Sequence, residues 1–79
     1  MNTQRLVFEL DSGRDHVELN QLLKLAGLCD SGGAGKAIVA RGAVTVDDQV
    51  ELRKTCKIRA GQVVRLDDVE IRVIDAPPQ

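Results

Sequence analysis

Tryptophan and tyrosine are absent from this 79-residue chain, and phenylalanine occurs once, at Phe8. That scarcity argues against surfaces that grip single-stranded nucleic acid by stacking bases on aromatic rings, as RRM and OB modules do. Histidine also occurs once, at His16 in a polar stretch, so no triad of nucleophile, base and orienting acid can be built around it. The two cysteines, Cys29 and Cys56, form no C-x-x-C pair, and with a single histidine the ligand set is too thin for a structural zinc site. Without a secretory context they are expected to stay reduced. No apolar run approaches the ~20 residues that span a bilayer. Residues 1–15 carry Glu9 and Asp11 and no apolar core segment, unlike a secretory signal. The expectation is a cytoplasmic protein with no membrane partner, metal, cofactor or enzymatic activity, organised as one domain over residues 1–79.

What is present is an ordinary globular composition, 43% hydrophobic and 29% charged, around one unusual stretch, Leu22 to Lys36 (LLKLAGLCDSGGAGK). Leu19, Leu22, Leu23 and Ala26 recur at i, i+3, i+4 and i+7, which predicts a helix from Val17 or Glu18 to Ala26 with Gln21 and Lys24 facing water. Gly27 suits the left-handed residue that ends a helix, and Leu28 can close back on the last turn. Asp30 or Ser31 is placed to cap a second helix that begins at Gly32 or Gly33 and runs to Arg41. Gly32, Gly33 and Gly35 in its first turn cost about 1 kcal/mol each, relative to alanine, where they are interior. Close packing on the first helix or close approach of a ligand must offset that cost. A helix N-terminus with Lys36 beside it is a place for an anion.

The flanks read as β. Arg5–Leu10 predicts a strand that sends Phe8 into the core, and Arg14–Glu18 a polar connection with His16 exposed. Ala43–Val46 predicts a strand, Asp47-Asp48-Gln49 a tight turn and Val50–Leu52 its return, with Val44 and Val46 on one face and Thr45 on the other. Lys54–Ala60 reads as a basic connection. Val63–Leu66 and Val69–Ile74 form a hairpin about Asp67-Asp68. The last strand is expected at the edge of the sheet, open to pairing between chains, which leaves the oligomeric state undecided. Residues 75–79 are expected to be a frayed tail.

A net charge of −1 conceals an asymmetry. Between Lys24 and Arg59 there are seven basic and four acidic residues, and the rest of the chain holds four basic and eight acidic. The run Arg53–Arg59, RKTCKIR, has four positive charges and no negative one. Two phosphate-binding loops can be set aside. A P-loop needs glycine where Asp30 stands and a hydroxyl where Ala37 stands, and a helix, not a strand, leads into these glycines. The missing strand also rules out a dinucleotide fingerprint.

Taken in order, several pieces match one pattern. They are Leu22-Leu23-Lys24-Leu25-Ala26-Gly27-Leu28, Ser31, Ile38-Val39, Gly42-Ala43-Val44-Thr45-Val46 and Gly61-Gln62-Val63-Val64. Together they resemble the S4-type RNA-binding domain, in its small stand-alone bacterial version, with a core motif over about residues 19–66. The resemblance implies an α+β fold of the S4 kind, with an alpha-L motif, in which two short packed helices lie against a small, mostly antiparallel sheet of four to five strands. It implies a non-catalytic partner of structured RNA, ribosomal or transfer RNA among the candidates, with ribosome-associated proteins as further partners.

The residues it points to are Lys24, Ser31, Gly32, Gly33, Lys36, Arg41, Arg53, Lys54, Lys57 and Arg59, which suit phosphate contacts. Lys36, Arg53 and Lys54 lead, Lys57 and Arg59 follow, and Lys24 and Arg41 read equally well as solvated helix residues. The chain departs from the family in three places. Gly32 follows Ser31 where an RNA-contacting arginine is common. Gly35 replaces the usual alanine and is expected to loosen the second helix. Asp47-Asp48 replaces Asn-Gly and is expected to bring negative charge near the binding face. The competing reading is a protein-interaction adaptor that docks through the helical elbow, with RNA binding weak or absent.

Overall fold

The computed structural model describes residues 2–77. In chain order the elements are β1 (Gln4–Glu9), β2 (Val17–Glu18), α1 (Leu19–Leu25), α2 (Gly32–Ala40), β3 (Val44–Val46), β4 (Gln49–Val50), β5 (Lys57–Ile58), β6 (Val63–Leu66) and β7 (Val69–Ile74). The main sheet has five strands in the order β1-β7-β6-β3-β4, and β2 and β5 make a separate two-stranded ribbon. All pairings are antiparallel except β1 with β7, which is parallel.

The leucine stripe does what its spacing predicts. Leu19, Leu22 and Leu23 are fully buried, and they share a core with Val39, Val44, Ile58, Val64, Ile71 and Val73. Alternation on β3 holds as well, with Val44 and Val46 buried and Thr45 on the opposite face. Phe8 lies half-buried against the core and not within it. His16 is also half-buried, with Nδ1 2.7 Å from Asp15 Oδ1, where full exposure was expected.

The elbow between the helices is built by local backbone chemistry. Gly27 takes φ +81°, its N–H bonds to Lys24 O at 3.0 Å, and the Leu28 N–H bonds to Leu23 O at 3.0 Å. This pair of bonds is a Schellman closure, and Leu28 packs on the core as its hydrophobic plug. Ser31, and not Asp30, caps α2: its Oγ accepts the Ala34 N–H at 3.1 Å. α1 starts later than its apolar period suggests, because Val17 and Glu18 are extended in β2. No side chain caps it. The Leu19 and Asn20 N–H groups donate instead to Cys56 O at 2.8 Å and Lys54 O at 3.1 Å.

Three further expectations are corrected. The Lys54–Ala60 connection contains β5, which pairs Ile58 with Val17 and Lys57 with Glu18. The return strand after the Asp47-Asp48 turn is Gln49–Val50; the Glu51 N–H still donates to Val44 O in step with that pairing, but Leu52 beyond it is exposed and outside the strand. Val69–Ile74 is not an edge strand; it lies between β1 and β6.

Candidate nucleic-acid interface

The basic run becomes a surface because its backbone is pinned. The bonds from Leu19 and Asn20 hold residues 54–56 against the start of α1, and the Cys56 N–H closes a turn onto Arg53 O at 3.2 Å. Ile58 is then fully buried, so the neighbouring Lys57 and Arg59 are turned outward. α2 reaches the same place through Gly35. A Cβ there would stand 2.5 Å from Asn20 O, closer than real Cβ contacts allow, and a tight 3.1 Å from Asn20 Cα. Gly35 therefore lets the two helix backbones touch, and the expected loosening is reversed: the glycine is the contact. The next residue is Lys36.

The result is an open groove of about 840 Å3 lined by Lys36, Leu52, Arg53, Lys54, Thr55, Cys56, Lys57 and Arg59. Five of these eight are cationic and none is acidic. Behind the wall sits Glu51, whose carboxylate accepts Arg53 Nε at 3.0 Å, Arg53 Nη2 at 2.9 Å and the Arg53 backbone N–H at 2.9 Å. The Arg53 side chain and then its backbone N–H hold the Glu51 carboxyl down to about 2. The Cys56 thiol sits 3.5 Å from Glu51 Oε1, and burial, followed by that carboxylate, pushes its pKa up. Arg59 Nη1 bonds Asp15 Oδ2 at 3.2 Å; bonds from His16 and then Arg59 lower the Asp15 pKa. Among the described residues Lys36, Lys54 and Lys57 form no ion pair.

Of the ten residues singled out in the sequence, five line the groove. Lys24 and Arg41 are exposed but lie outside its lining. Ser31 is engaged in capping, Gly32 lies against the Gln21 and Asn20 amides, and a Cβ on Gly33 would make only an ordinary contact with Ser31 Oγ at 3.8 Å. Leu52, Thr55 and Cys56 were not singled out, although two of them stand inside the RKTCKIR run itself. Asp47 and Asp48 do not line the groove. Both take positive φ, +51° and +69°, the mirror-image hairpin geometry that Asn-Gly usually supplies. Their carboxylates turn to β6, where Asp47 accepts the Val63 N–H at 2.9 Å and Asp48 accepts Arg65 Nη1 at 3.0 Å.

A family model described as an S4 domain matches residues 8–74. The chain belongs to the S4 domain family. This S4 domain is 49% identical over 59 residues to YbcJ of Escherichia coli K12, named as a candidate RNA-binding protein, covering 75% of this chain and 84% of the relative. An uncharacterized YbcJ from Shigella flexneri matches to the same extent. A solution structure of E. coli YbcJ, described as revealing an alfaL motif involved in RNA binding, superposes with a TM-score of 0.66 at 46% identity. It covers 86% of this chain and 85% of that one. The S4 fold expected from the sequence, two short helices on a mostly antiparallel sheet, is the fold observed. Among the described residues no helix is long and apolar enough to cross a membrane, and no group of three or more His, Cys, Asp or Glu could hold a metal ion.

Proposed function

We propose that this S4 domain is a non-catalytic cytoplasmic RNA-binding protein that holds folded RNA by its phosphates. The contacts come from the groove of Lys36, Arg53, Lys54, Lys57 and Arg59. The observation that carries the reading is the lining itself: five cations from two separate chain segments converge on one concavity without a carboxylate among them. Such a surface suits phosphate oxygens spaced along a backbone, and the lack of stacking aromatics favours reading shape over reading splayed bases. The relatives' names and family membership favour RNA over DNA.

Ser31, Gly32 and Gly33 contribute by shaping the elbow that carries Lys36, while Lys24 and Arg41 add long-range attraction from outside the groove. Ribosomal and transfer RNAs are the folded RNAs to test first, with ribosome-associated proteins as neighbours. A titration of a fluorescent RNA hairpin at low salt tests the reading. Saturable binding that weakens steeply with added salt is expected, and absence of binding to any folded RNA would overturn it.

A further inference from the structure

We infer that the free edge of β1 is a self-association surface, which pairs with a second copy of this chain about a twofold axis at Val7. β1 ends the sheet order, and no described strand lies beyond it. The Gln4 N–H donates to Asp68 O at 2.7 Å and the Leu10 N–H to Ile74 O at 2.9 Å, so even-numbered residues face β7. Strand alternation then aims the N–H and C=O groups of Arg5, Val7 and Glu9 along the open edge. The burial pattern places those same side chains on the solvent face, and Val7 is 65% exposed.

The charges select one register. With two β1 strands antiparallel about Val7, the outward groups of residues 5, 7 and 9 meet in about six backbone hydrogen bonds. Each Arg5 then lies opposite Glu9 of the second copy, and the two Val7 side chains meet at the axis. The neighbouring registers that keep this hydrogen-bonding parity set Val7 against Arg5 or against Glu9, so that within β1 neither charge meets its opposite. Arg5 also lies 3.8 Å from Glu70 of its own chain, which keeps it on this face. No β1 residue lines the basic groove, so pairing through β1 leaves both grooves free and makes the assembly bivalent.

Sedimentation velocity over a concentration series at low salt tests the pairing, and an equimolar mixture of charge swaps gives the decisive arm. Arg5→Glu alone sets acid against acid, and Glu9→Arg alone sets base against base. Mixed one to one, the two variants restore opposite charges at both ends of the pairing. Both positions are exposed, so the fold is expected to survive. The expected result is a concentration-dependent dimer for the native chain, monomers for each swap alone, and recovery of the dimer in the mixture. A native chain that stays monomeric at its highest soluble concentration would overturn the inference. So would swaps that leave association unchanged, or a mixture that stays monomeric.

Discussion

Glu51 stands directly behind a cationic groove, where a free carboxylate would repel phosphate, yet its charge is committed. It takes three bonds from Arg53, two of them from the guanidinium, and so fixes the fork; Nη2 also reaches Cys56 Sγ at 3.6 Å, which leaves Nη1 for another acceptor. Arg53→Lys keeps the charge and loses that geometry, and is expected to weaken RNA binding without removing it. The pair also sets a pH dependence. The folded carboxyl, at about 2, lies below its ordinary 4.5, so its contribution to stability is complete above about pH 4.5 and is lost as the pH falls toward 2. Urea unfolding at pH 7 and pH 3 is expected to show a smaller loss on acidification in Glu51→Gln than in the native chain. Equal losses would show that the pair contributes nothing to folding.

Glycines that look alike in the sequence have opposite roles in the helices. Gly33→Ala meets only Ser31 Oγ at 3.8 Å and is expected to stabilise the fold by about 0.5–1 kcal/mol. Gly35→Ala drives a methyl into the Asn20 backbone and is expected to destabilise by about 1–3 kcal/mol and to weaken RNA binding as Lys36 shifts. Chemical denaturation of the two variants checks the contrast. The leucine period, the Gly27 closure, the serine cap and the β3 alternation were legible because each is written in local spacing. The role of Gly35 was not, because a missing Cβ means nothing until its neighbour is known. β5 was hidden for a related reason: its two residues pair with β2 some forty positions earlier, and the positive charges around Ile58 look like a solvated loop. Val69–Ile74 carries the alternation of any strand with one buried face, and nothing in it announces the parallel partner β1. Five groove cations were legible as charges, but their meeting depends on backbone bonds from Leu19 and Asn20 that no side chain advertises.

At the scale of the whole molecule, a nearly neutral chain carries a cationic groove without a carboxylate in its lining and, on the sheet, a face of compensated charge. Arg65 bridges Asp48 and Glu70 on that face, and Arg5 approaches Glu70, so those cations are already occupied. The groove lysines differ in position from Lys24 and Arg41, which are also exposed but lie outside the groove. Lys24→Ala and Arg41→Ala are expected to lower RNA affinity only slightly, while Lys36→Ala and Lys54→Ala each lower it several-fold. The sharpest test is the slope of log affinity against log salt for a folded RNA, measured for the native chain and for Lys36→Ala/Lys54→Ala. Each phosphate contact removed is expected to reduce that slope by about 1. A double variant with the native slope would refute the groove as the phosphate-binding surface.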